Sequence, residues 1–130
     1  MNNNLYLRAV VFEKDKPFRD KLISLLRKHN FSTLHVEDCE TAFRHIVMLR
    51  PTVFFCGVNT ENFTCLDVAF FIKNIIKARD CKIISSCEDK KLIGRESNDA
   101  SDIDYFVHKN NFSELDTIID QCGLSRLQEA

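Results

Sequence analysis

The sequence predicts a doubly wound α/β fold, a five-stranded parallel sheet with helices on both faces, and three observations lead there. Short unalternating apolar runs, Ala9-Val10-Val11-Phe12 and Val53-Phe54-Phe55-Cys56, suit strands buried on both sides. Between such runs lie segments whose apolar residues recur every three to four positions, the period of an amphipathic helix. The two kinds then alternate along 130 residues, the length of one domain. Strand–helix alternation implies a parallel sheet with right-handed crossovers.

Taken in order, Leu7 to Phe12 is the first strand. From Pro17 the period changes, and Phe18, Leu22, Leu25, Leu26 and His29 form one helical face. Asp15 or Lys16 caps this helix, Pro17 suits its first turn, and Asn30 takes the left-handed position that ends it. Phe31 to Val36 is the second strand. Asp38 caps a helix carrying Ala42, Phe43, Ile46, Val47 and Leu49, which stops before Pro51. Val53 to Val58 is the third strand, and Thr64 caps a helix from Leu66 to Lys77. Adjacent Phe70 and Phe71 cannot both face one seam; one of them is a candidate surface docking spot, although a crowded core is the expected place for them. Lys82 to Ser86 and Tyr105 to Val107 are the last strands. Ser113 opens the final helix, which Gly123 and Leu124 end as a Schellman stop, leaving 123–130 as a tail beyond a core of about 5–122. Between Cys87 and Asp104 the only apolar pair is Leu92-Ile93. The helix expected there is short or degenerate, and Gly94 to Asp102 has the composition of a loop.

Composition removes whole classes of function. Lysine and arginine total 18 against 19 acids, so the bulk charge gives no footing for nucleic acid. Three glycines, at 57, 94 and 123, exclude the glycine-rich phosphate loops, and no GxSxG or HExxH occurs. No apolar run approaches the roughly 18–20 residues that cross a bilayer, and no secretory signal is seen, so a cytoplasmic protein away from the membrane is expected. The six cysteines show no CxxC spacing and read as reduced core thiols.

Chemistry in such a sheet sits beyond the carboxyl ends of the strands. Those ends carry Glu13-Lys14-Asp15, Gly57-Val58-Asn59, Ser85-Ser86-Cys87 and His108-Lys109-Asn110. With Arg50-Pro51, Ile83-Ile84-Ser85-Ser86, Tyr105-Phe106-Val107-His108-Lys109 and Phe112-Ser113-Glu114-Leu115, this set resembles the receiver domain of response regulators of the chemotaxis type, over about residues 5 to 122. The resemblance implies a flavodoxin-like topology and a phosphorelay site. In that family an aspartate ending the third strand accepts a phosphoryl group from a histidine kinase. Two acids after the first strand hold magnesium, a Ser or Thr after the fourth contacts the phosphoryl group, and a lysine after the fifth pairs with it. Carried over, the acid pair falls on Glu13 and Lys14 and the acceptor on Gly57. The hydroxyl falls on Ser86, with Ser85 one register away, and the lysine on Lys109, with His108 the alternative. Asn59, whose counterpart offers a backbone carbonyl to the metal, is retained.

The departures decide what to expect. Glycine has no nucleophile, so Gly57 cannot be phosphorylated. Lys14 replaces a carboxylate ligand with a cation, and a hard metal wants carboxylates, so neither metal nor other cofactor is expected. Lys14 either takes the cation's place beside Glu13 or Asp15 or reaches to solvent. The sequence therefore reads as a non-phosphorylatable pseudo-receiver. It is expected to be no enzyme, to work in a two-component-type pathway through a protein partner, and to bind neither nucleic acid nor membrane; nothing indicates a homodimer. The rivals are a cysteine-based redox or metal sensor on the same fold, a small flavodoxin-like enzyme, and the regulatory domain of a larger response regulator. Cys56, Cys65 and Cys87 are the cysteines at the carboxyl ends. Strand alternation turns Cys56 away from Gly57, into the core.

Overall fold

A computed structural model describes residues 7–57, 64–87 and 102–128, the side chains of Cys39, Cys87, 64–66 and 125–128 excepted. Five strands, β1 (Arg8–Phe12), β2 (Ser32–His35), β3 (Val53–Gly57), β4 (Lys82–Cys87) and β5 (Tyr105–His108), form one parallel sheet in the order β2-β1-β3-β4-β5. This is the expected flavodoxin-like winding. The chain leaves β1 toward β2 and then returns to β1's other side for β3, so the crevice lies beyond the ends of β1 and β3.

Alternating side chains build a core on each face of the sheet. Ala9, Val11, Val53, Phe55, Ile84 and Val107 pack with α1 (Lys16–Lys28) and α4 (Phe112–Gln128), through Leu22, Leu26, Leu115 and Ile119. Val10, Phe12, Phe54, Cys56 and Ile83 pack with α2 (Cys39–Leu49) and α3 (Thr64–Phe70), through Ala42, Ile46, Val68 and Ala69. No helix among the described residues is long and apolar enough to cross a membrane.

Local chemistry sets the helix ends. The Asp15 carboxylate accepts the Phe18 N–H and caps α1, and Asn30 takes φ 68° just beyond its end. Asp38 accepts the Thr41 N–H at 2.7 Å and caps α2; Arg50, at φ 49°, ends it before Pro51. Val47 is half exposed on α2.

Other ends differ from the sequence reading. Helix α3 opens at Thr64, within the helix rather than capping it. It runs into a π-helical turn, Phe71–Ile75, whose Ile76 N–H reaches back five residues to the Phe71 carbonyl. The wider turn shifts the apolar face. Phe71 stays in, edge-on to Phe43 at 4.6 Å, and Phe70 is turned out, 54% exposed. Asn111, not Ser113, caps α4, its side-chain oxygen accepting the Glu114 N–H at 3.0 Å. Gly123 does not stop α4, which continues to Gln128 with no glycine at positive φ. A Cβ there would stand 3.5 Å from Leu7 and 3.7 Å from Phe31, ordinary contact distances, so the position has room for a side-chain carbon inside the helix. The tail expected from 123 is thus helical to 128. The stretch Gly94 to Asp102, apart from its last residue, and Asn59 lie outside the described residues.

Candidate phospho-acceptor pocket

Four parallel strands deliver four residues to one place. Glu13, Gly57, Ser86 and Lys109 each stand two residues beyond a core residue of the α1/α4 face: Val11, Phe55, Ile84 and Val107. Period-two alternation therefore points all four the same way. Gly57 and Ser86 are also partners in the β3–β4 register.

Glu13 is the centre of the group, only 5% exposed. Its Oε2 accepts the Asp15 N–H at 3.0 Å, and Oε1 accepts the Ser86 hydroxyl in a long hydrogen bond of 3.4 Å. The Lys109 ammonium lies 3.6 Å from Glu13 Oε2 and donates to Asp15 Oδ2 at 3.2 Å. It sits 5.3 Å from the centroid of the Phe18 ring, a cation–π contact that helps hold the lysine inward. Arg19 donates to the Glu13 carbonyl at 3.0 Å and steadies the turn between β1 and α1. Asp15 is held below its ordinary pKa of 3.8, first by its hydrogen bond from Lys109 and then by the Phe18 N–H.

Gly57 matters for what it makes room for. A Cβ on residue 57 would lie 2.5 Å from Glu13 Oε1 and 2.8 Å from its Cδ, well inside contact distance. The Glu13 carboxylate occupies the space into which a side chain at 57 would grow. Sequence reasoning missed this pairing. Its signal was a matched change of size: the longer acid after β1 and no side chain at all at the end of β3.

The structure chooses between the alternatives left open by the sequence. Ser86 is in the pocket; Ser85 faces the other core, its hydroxyl buried without a hydrogen-bond partner among the described residues. Lys109 is in the pocket, whereas His108 Nδ1 accepts the Asn110 N–H. Lys14 is exposed, and the expectation that it takes the cation's place is corrected. Lys109 already stands on both acids, and Lys14, one residue off the alternation, is directed outward. Magnesium does not fit these residues. Both Glu13 oxygens face donors, Asp15 is shared between Lys109 and the helix cap, and Gly57 offers no oxygen from a side chain. No group of three or more His, Cys, Asp or Glu among the described residues could hold a metal ion.

The cysteines need one correction. Cys81 and Cys122 are free and buried, and burial pushes their thiols up to about 12 and about 11. Cys56 is buried in the α2/α3 core as expected, but it is disulfide-bonded rather than reduced.

The fold and the site can now be set beside known structures. The chain has the fold of receiver domains. It superimposes on a DNA-binding response regulator of the LuxR family from Staphylococcus aureus with a TM-score of 0.72 at 22% identity, covering 90% of this chain and 98% of that one. The response regulator TrrA from Thermotoga maritima, solved with magnesium and beryllofluoride, gives 0.74 at 21%, covering 89% and 98%. The receiver domain of a sensor histidine kinase from Pseudomonas aeruginosa, with magnesium in its active-site cleft, gives 0.75 at 16%, covering 91% and 98%. No family profile and no curated protein sequence matches the chain.

Proposed function

We propose that this chain is a cytoplasmic pseudo-receiver, a signalling module of a two-component-type pathway that acts through contact with a protein partner and not through phosphoryl transfer. One observation carries the reading: the Glu13 carboxylate fills the acceptor's place against Gly57. A receiver of the family this chain resembles places a phosphoryl group between a hydroxyl and a lysine. Here Ser86 and Lys109 face a built-in carboxylate instead, and the pocket's charges are matched from within. The surface is then held in one arrangement by residues of the chain itself, ready for a partner without a donor, a metal or catalysis.

The test is treatment of the full chain with acetyl phosphate and magnesium, followed by intact mass. An unchanged mass is expected. Addition of one phosphoryl group that hydroxylamine removes would overturn the reading, because only an acyl phosphate behaves so.

A further inference from the structure

Lys109 and Asp15 also line a second space, a cavity of about 350 Å³ beside the acceptor pocket. Helix α1 contributes Pro17, Phe18 and Lys21 to its wall, and the turn into α4 contributes Asn110 and Phe112. Glu13, Gly57 and Ser86 are not among its described lining residues. Rings and apolar carbon set with a few polar groups make up a small-molecule site, and this volume is at the small end for one. Two of the rings form a pair. Phe18 and Phe112 have their centroids 5.5 Å apart and are tilted by 43°. Each carries an ammonium: Lys109 stands 5.3 Å from the Phe18 centroid and Lys21 5.6 Å from that of Phe112.

The two ammoniums differ in what answers them. Lys109 is balanced by Glu13 at 3.6 Å and Asp15 at 3.2 Å. Lys21 is exposed, and the acid next to it, Asp20, pairs with Lys16 at 2.9 Å instead. Among the described lining residues two lysines thus face one aspartate, and the excess positive charge sits on Lys21.

We propose that this cavity binds a small aromatic monocarboxylate, a molecule of one or two rings that lies on Phe18 and Phe112 with its carboxylate on Lys21. The walls set that class. An aromatic pair favours a planar ring over a saturated one. A carboxylate on Lys21 forms a charge-assisted hydrogen bond, and a cationic ligand would be repelled by both lysines. The Asn110 amide can donate to or accept from a polar group on the ring edge. The site stands on the cavity itself; only its role as an input rests on the pseudo-receiver reading. Lys109 keeps 15% of its side chain exposed and belongs to this wall. A ring seated on Phe18 takes water away from Lys109 and tightens its hold on Glu13 and Asp15, because ion pairs strengthen where water is excluded. Binding therefore reaches the acceptor pocket through the lysine that the two spaces share.

The test titrates the full chain with 2-naphthoate by calorimetry, with two control ligands. One, 2-naphthalenemethanol, keeps the rings without the charge; the other, cyclohexanecarboxylate, keeps the charge without an aromatic face. Saturable one-to-one binding of 2-naphthoate is expected, the uncharged control being about tenfold weaker and the saturated acid several-fold weaker. Lys21→Gln should weaken 2-naphthoate about tenfold and leave 2-naphthalenemethanol unchanged. Lys28→Gln, two turns further along α1, should bind as the wild type does. Amide exchange at Asp15, whose N–H donates to Glu13, should slow several-fold in the bound chain. No saturation at millimolar 2-naphthoate, equal affinity for the uncharged control, or equal losses in Lys21→Gln and Lys28→Gln would each overturn the site. Binding that leaves exchange at Asp15 unaltered would overturn its role as an input. Acetyl phosphate treatment keeps the two ideas separable, since a phosphorylated chain would sink the pseudo-receiver reading and leave the binding site standing.

Discussion

The two faces of the sheet end differently, although the same five strands make both. On the α1/α4 face the strands run out into Glu13, Gly57, Ser86 and Lys109, which satisfy one another. On the α2/α3 face the neighbouring residues are Phe12, Cys56 and Ser85, an apolar ring, a bonded sulfur and a hydroxyl with no described partner. A shift of one residue in each strand separates an ionic pocket from a nearly dry layer. The difference shows that chain alternation, more than composition, sorts the polar groups: Ser85 and Ser86 are chemically identical and equally buried, yet only one takes part in the pocket.

The strongest way to break this contrast is Lys109→Met. It strips the cation from a carboxylate that is almost fully buried, and should cost about 3 kcal/mol in urea unfolding, the lower end of the range for broken buried pairs because Lys109 keeps some access to water. An unchanged midpoint would mean that water, not Lys109, balances Glu13. Next comes Gly57→Asp, which forces a side chain and a second carboxylate against Glu13 and should cost about 2 kcal/mol. Adding Glu13→Ala should recover most of that loss. If the double variant is no better than the single one, Glu13 does not hold the space assigned to it.

The serine pair sharpens the comparison at smaller scale. Ser85→Ala removes an unsatisfied buried hydroxyl and should gain about 1 kcal/mol, whereas Ser86→Ala should lose about 0.5–1 kcal/mol with its bond to Glu13. Effects of the same sign would erase the distinction between the faces. The smallest effect is in the acid limb. Asp15 is held below 3.8 in the folded chain, mainly by Lys109, so its contribution is present above that value and is lost as pH falls through its folded pKa. Replacing Lys109 lets the folded pKa rise back toward 3.8, so the acid-unfolding curve of Lys109→Met should gain less between about pH 2 and 5 than the wild-type curve.

Much of the fold was legible because buried parallel strands and amphipathic helices have distinct periods, and because Asp15, Asp38 and Asn30 carry local chemistry that needs no tertiary context. The errors fall where tertiary contact overrides a local habit. Gly123 reads as a stop, but α4 runs through it to Gln128 without the positive φ that a stop would use. Phe70 reads as core, but the π turn after it rotates it outward. In the pocket, residue positions could be carried over by strand order, yet the choice of Lys109 over Lys14 depends on direction off a strand end. The filling of Gly57's space by Glu13 depends on contact between residues 44 positions apart.

The close fit of Gly57 to Glu13 also shapes the mutational paths open to the chain. Giving residue 57 a carboxylate while Glu13 is in place collides with it, and shortening Glu13 first leaves Lys109 and Ser86 facing a gap. Either order passes through a less stable intermediate, and a third change at Lys14 would still separate the result from a pair of adjacent acids. Two residues in contact are thereby coupled: what a change at residue 57 costs depends on what stands at residue 13.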